Sequence, residues 1–449
     1  MADLGETGVA GRAGERGLCG VMSRQSRPSE GRGGLRLWPV GSVLALTFLA
    51  SLVVAAAVFF TGWDLLGARG IERERRLTSK TVFELVKLSF GVVAGSGALV
   101  ALVVAYRRQR VDEDGARRDA TRLHTERFTG AVGQLGEESA AVRLGGVHAL
   151  AGLADDAPDR SRRQTCIDVL CAYLRLPLPS EEAPDGTEVP GSRRDPGLHE
   201  VRRTVLRLVR DRLRLPGDHP HSWQGYDFDF TGAVLDGGSL DHAQFSGGTV
   251  SFDDTVFRGA VVLNGARFCG STVNFTGARF TGGTTDFNGA HFAGGRVSFE
   301  GARFCGGAVG FGAALFTGGT VSFKGAHFAD GAVSFRGARF SGDPGSFRGT
   351  VSFHGARFCG TAVDFDRAGF AGNAVDIGSA EFSAGAVTFT GARFADGGAD
   401  FTRATFAGGA VGFLQAQGAA PPGLVPSNGA PPPAGVRLPD SWHSAPTRS

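Results

Sequence analysis

Between residues 230 and 413 the large apolar positions return at alternating intervals of five and seven. From Phe268 the series runs through Phe275, Phe280, Phe287, Phe292, Phe299, Phe304 and Phe311, and continues in the same steps to Phe340. Twelve residues make one repeat, x-G-A-R-F-x-G-G-x-V-x-F, as in TGARFTGGTTDF at 276–287. A fixed short period of this kind marks a solenoid. Ala278 or Val297 stands two residues before its Phe, the spacing that puts both side chains on one face of an extended segment. Arg279 or Ser298, between them, points the other way. Glycines follow where the chain must turn. One unit cannot bury its apolar side alone, but stacked coils can, each Phe lying over another at a strand spacing of ~4.8 Å. Counting from Phe230 through Leu235, Leu240 and Phe245 to Phe413 gives 32 units, with Leu263 and Ile377 in place of Phe. At four units per coil this predicts about 8 coils and roughly 38 Å of stack. Spacings of six at Phe257–Leu263 and Phe347–Phe353 predict an irregular corner near 343–350, where Asp343-Pro344-Gly345 breaks the pattern.

These residues resemble the units of the pentapeptide-repeat family, A-(D/N)-L-x-x, with a small residue two before a large central one. Here the centre is mostly Phe, and Asp or Asn before it is uncommon. The subgroup mixing five- and seven-residue spacings is the best match. The resemblance implies an all-β, right-handed, quadrilateral parallel β-helix, assigned to 217–413, and is nearly silent on function. The alternative for a chain with 71 Gly is disorder, but a disordered segment lacks phased large apolar residues.

Two uncharged stretches precede the repeats. Trp38–Trp63 and Leu88–Tyr106 are each long enough to cross a hydrocarbon core of ~30 Å. Trp and Tyr stand at their ends, where interfacial aromatics belong. Gly91, Gly95, Gly97, Ala101 and Ala105 form rows of small residues that let two helices approach closely. The expectation is two transmembrane helices, 38–63 and 88–106, joined by a loop at 64–87 and preceded by a disordered segment at 1–37. The 38-residue leader and long apolar core argue against a cleaved signal peptide. Arg107, Arg108, Arg110, Arg117 and Arg118 after the second stretch, with Arg24, Arg27, Arg32 and Arg36 before the first, put both termini in the cytoplasm of a bacterial inner-membrane protein. Arg69, Arg73, Arg75, Arg76, Lys80 and Lys87 in the loop oppose that orientation.

Residues 107–216 read as a small helical module. Leu144, Val147, Ala151 and Leu153 form one apolar stripe, which also carries His148, and Cys166, Ile167, Leu170, Tyr173 and Leu174 form another. Asp195-Pro196 starts a third helix, with Val201, Val205, Val209 and Leu213 on one face. The runs AVRLGGVHAL and QTCIDVLCAYLRLP resemble the segment between anchor and repeats in bacterial relatives, and the module is a candidate cap for the first coil. The Pro/Gly/Ala-rich tail, 414–449, is expected to be disordered. With no folded cap beyond Phe413, the last coil is left open to self-association into a homo-oligomer.

The chemistry the sequence offers is sparse. There is no HExxH, CxxC, GxxxxGK or G-x-S-x-G, and the G-x-G strings lie inside the repeats. Neither catalysis, a cofactor nor a metal site is expected. The six cysteines, Cys19, Cys166, Cys171, Cys269, Cys305 and Cys359, show no metal or redox spacing, and the last three should face outward. Some pentapeptide-repeat proteins mimic DNA and bind topoisomerase. Between 226 and 413, however, 14 Asp and 2 Glu oppose 12 Arg and 1 Lys, a balance of −3. A duplex carries one charge per ~1.7 Å, about 20 over this length, so mimicry and nucleic-acid binding are both disfavoured. One surface feature stands out. Arg267, Arg279, His291, Arg303, His327, Arg339, Arg357 and Arg393 each precede a Phe and should project on two opposite faces. Arg279, Arg303 and His327 are spaced by 24, which puts them in one column and makes a candidate strip for an acidic protein partner. The expected function is a membrane-anchored, non-catalytic interaction scaffold. The alternatives are a topoisomerase regulator and a membrane protein that transmits a signal.

Overall fold

The structure, a computed structural model, describes residues 79–177, 196–341, 350–371, 375–395, 398–425 and 431–442, with isolated residues between 48 and 64. They belong to two compact units, residues 26–125 and residues 126–449.

In the first unit the main element is helix α1 (Ser79–Leu135), which holds the whole uncharged run 88–106. Leu88, Phe90, Leu102 and Val104 on it are exposed, and so are Phe48, Leu49, Val53 and Phe60 upstream. Among the described residues, no helix is long and apolar enough to cross a membrane. The expected pair of transmembrane helices is therefore not supported by the described residues. Most of Trp38–Trp63 lies outside the described residues, as do several side chains between 81 and 96. Beyond Tyr106 the helix continues into a charged stretch beginning Arg107-Arg108.

In the second unit the end of α1 packs with α2 (Ala140–Asp155), α3 (Arg160–Arg175) and α4 (Pro196–Leu213). Val147, Ala151, Ile167, Leu170, Val201, Val205, Val209 and Leu213 are buried on the faces their spacing predicted. His148 is exposed, one position off the buried stripe. Asp159 caps α3 by accepting from the Arg162 amide at 2.8 Å.

The repeats form a parallel β-solenoid whose strands run from Phe228 to Arg437, with an eight-stranded sheet counting the coils. A coil has four strand positions. In one turn these are Arg296–Ser298, the first part of Arg303–Gly310, its second part after a bend, and Leu315–Phe316. Two sides share one continuous strand, so the ladders resolve into three sheets. Each side carries its own column of large residues. Phe311 lies between Phe287 and Phe335, ring centroids 4.8 Å away and nearly parallel, and meets Phe299 and Phe323 edge-on at 5.7 and 5.8 Å. Stacking along the axis and T-shaped contact across it are the two geometries that aromatic quadrupoles favour.

The corners explain the glycines. The Ala302 amide donates to the Phe299 carbonyl at 3.1 Å, closing a four-residue turn whose third residue, Gly301, has φ +63°. A type II turn needs that left-handed conformation there. The same turn position is held without glycine at Ala313 (φ +53°) and Arg367 (φ +57°). The predicted irregularity near 343–350 falls largely on residues outside the described set. The register brackets it: Thr320 pairs with Thr350, an offset of 30, where Arg296 pairs with Thr320 at the regular 24.

Both ends of the stack are covered. At the start, the Gln164 side-chain amide donates to the Asp227 carbonyl (2.7 Å) and accepts from the Asp227 amide (3.0 Å), acting as a strand neighbour to the first coil. Arg202, 6% exposed, donates to the carbonyls of Tyr173, Leu174 and Leu176 at the end of α3 and to Val234 in the first coil. The Trp223 indole donates to Asp155 at 3.1 Å. At the other end the expectation of an unstructured tail is overturned for 414–425 and 431–442. Val436–Arg437 adds a strand beside Ala410–Gly412, and Leu424 is fully buried. Trp442 covers Phe413 (5.5 Å) and Phe394 (5.8 Å) and donates its indole N–H to the Gly418 carbonyl. Four apolar anchors, Leu424, Val436, Leu438 and Trp442, outweigh a composition that favours disorder. The last coil is thus shielded, which removes the reason for expecting self-association there.

Candidate interaction face

With nearly every large side chain of a coil turned inward, the outward lattice is set by the residues between them. The position before Phe makes two columns, on opposite sides of the coil. The first contains Arg279, Arg303, His327 and Arg357 in direct register, as the 24-residue spacing predicted. It begins above Val256 and ends at Glu381. Arg279, Arg303 and Arg357 are exposed and His327 is partly so. Arg357 Nε lies 3.5 Å from Glu381 Oε2, the only ion pair within this column among the described residues. Arg357 is a fourth member that a fixed period of 24 does not pick out, because it stands 30 residues from His327.

The second column differs. It reads Arg267, His291, Leu315, Arg339, Gly369 and Arg393, so its cations are interrupted by Leu315 and Gly369. His291 Nε2 is 2.7 Å from the Thr317 hydroxyl, and burial, helped by Arg267, pushes its pKa below the usual histidine value. Only the first column is an unbroken ladder of arginine and histidine.

Next to that ladder the surface is low. Cys305, Ala329 and Cys359 follow the Phe of each coil, and beyond the bend come Ala308, Ala332 and Ala362, all exposed; one carboxylate, Asp330, stands beside Cys305 in register and accepts from the Gly331 amide at 2.7 Å. Among the described residues, no group of three or more His, Cys, Asp or Glu could hold a metal ion. Cys305 and Cys359 are exposed, whereas Cys166 and Cys171 are buried, their thiols pushed up to about 11 and about 12 by desolvation. A small, partly open cavity of about 10 Å³, lined by His199, Arg202, Arg203 and Asp236, lies between α4 and the first coil. It has room for about one water. His199 Nδ1 is 3.4 Å from Asp236 Oδ2, while Arg258 donates to Oδ1 at 2.7 Å. This cluster ties the helical module to the solenoid.

No protein-family model matches the chain, and no characterised protein matches it either.

Proposed function

We propose that the protein is a non-catalytic interaction scaffold of the pentapeptide-repeat type, held at a bacterial inner membrane with both termini in the cytoplasm. The observation that carries the scaffold reading is the solenoid's regular outward lattice, built on a core that leaves its side chains free to vary. Repeat solenoids commonly offer such extended surfaces for binding. The alternating five- and seven-residue units support the family assignment, as does the existence of four strand positions per coil. The anchor rests on the uncharged runs 38–63 and 88–106, on the exposure of Leu88, Phe90, Leu102 and Val104, and on the arginines that follow. The solenoid's balance of −3 gives no support to a duplex mimic.

The test is crosslinking in cells and affinity capture with the full chain beside a version lacking 226–413. Specific partners that depend on the repeats are expected. Identical capture by both versions refutes the scaffold. Release of the full chain from membranes by alkaline carbonate, without detergent, refutes the anchor.

A further inference from the structure

We propose that the ladder Arg279–Arg303–His327–Arg357 is the seat of an extended acidic peptide whose carboxylates alternate along its strand. The proposal rests on the scaffold reading and names the partner of that surface.

Three observations carry it. The first is the ladder's continuity. Four cationic or protonatable side chains stand in adjacent coils, and only the last has an acidic neighbour in the column. Like charges placed directly opposite are destabilising in a sheet, and here nothing in the column offsets them until Glu381. The opposite column shows that the fold does not demand this, since Leu315 and Gly369 serve equally well there.

The second is spacing. Three coil steps separate Arg279 from Arg357, about 14 Å at ~4.8 Å per step. An extended peptide rises ~3.4 Å per residue, so carboxylates at i, i+2 and i+4 span ~13.6 Å. With the first over Arg279 and the third over Arg357, the middle one falls between Arg303 and His327. A run of consecutive acidic residues sends every second carboxylate away from the ladder.

The third is access. The shelf of Cys305, Ala329, Cys359, Ala308, Ala332 and Ala362 gives a backbone room to lie beside the arginines. The Arg357–Glu381 pair is exposed on both sides, 59% and 44%, and so yields readily to a competing carboxylate. Phosphates of a single-stranded nucleic acid have a comparable spacing. Such ligands, however, are held by stacking on exposed aromatics, and the phenylalanines of this face, Phe280, Phe304, Phe328 and Phe358, are buried.

The experiment is fluorescence anisotropy with the full chain in detergent and a labelled peptide alternating Glu and Thr. Comparison ligands are a peptide of the same composition with its Glu residues consecutive, and a single-stranded oligothymidine. The alternating peptide is expected to bind best, and to bind more weakly as salt rises. Arg303→Glu should weaken it about tenfold and Arg303→Gln about threefold, with Arg393→Glu on the opposite column leaving it unchanged. Absence of binding, equal binding of the consecutive-Glu peptide, equal loss in Arg393→Glu, or tighter binding of the oligonucleotide each overturns the proposal. Cellular capture with Arg303→Glu separates the two readings. Partners that still depend on the repeats keep the scaffold and discard the ladder, whereas repeats that capture nothing discard both.

Discussion

Phe311 offers the sharpest test of how the coils hold together. Its side chain is fully buried, sandwiched by Phe287 and Phe335 along the axis and met edge-on by Phe299 and Phe323. Phe→Ala in a packed core costs about 3–5 kcal/mol, through lost transfer energy and the cavity left behind. Each aromatic pair adds ~0.5–1.5 kcal/mol beyond burial, and four are lost together, so Phe311→Ala should fall at the upper end, about 5 kcal/mol. Phe311→Leu keeps most of the apolar volume. Leucine already occupies this column at Leu263, which is 1% exposed, so that change should cost about 1–2 kcal/mol. Urea denaturation of the full chain in detergent, followed by circular dichroism, reads the difference as a shift of midpoint. Because Phe335 repeats the environment of Phe311 one coil on, Phe335→Ala should match Phe311→Ala to within about 1 kcal/mol. If Phe311→Ala costs less than about 1 kcal/mol, or no more than Phe311→Leu, the core is not held by ring stacking.

Other outcomes follow from single sites. Ala313→Gly, at a turn residue with φ +53°, should stabilise the protein by about 0.5–1 kcal/mol, because relief of the left-handed strain exceeds the entropy that glycine adds to the unfolded chain; thermal melts check the sign. Arg202→Met leaves the carbonyls of Tyr173, Leu174, Leu176 and Val234 without their donor and should destabilise by at least about 3 kcal/mol, read by urea titration. Iodoacetamide at pH 8 should label Cys305 and Cys359 in the folded protein and spare Cys166 and Cys171, whose buried thiols stay protonated; peptide mass mapping after quenching reports this.

Much of the solenoid was readable in advance because one residue type repeats its own environment. Phe stacked on Phe demands a constant number of residues per turn, so spacing revealed the repeat, and the four units per coil that the resemblance implies then gave about 8 coils and the column of Arg279, Arg303 and His327. The same logic failed where the period is broken. Arg357 joins the ladder only across the 30-residue offset, which no fixed count anticipates. The terminal cap was missed for a different reason. Leu424, Val436, Leu438 and Trp442 lie among prolines, glycines and alanines without a period, and only the open end of the last coil gives them something to pack on. Arg202 follows Val201 in α4, and nothing in the spacing there marks it as buried. Its burial follows from four carbonyls brought together by two other elements, information that no local window contains.

The offset of 30 across Ser341 and Thr350 has a practical consequence. Register is regained on the far side, Phe340 pairing with Phe370 and stacking on it at 5.1 Å, so this coil carries six residues more than its neighbours without disturbing the ring columns. The register of the described strands is thus kept on both sides of the six extra residues. The segment between Ser341 and Thr350 is therefore the natural place to graft an epitope or a fluorescent protein, because the residue count already departs from 24 there and the strands on either side are held by their own neighbours.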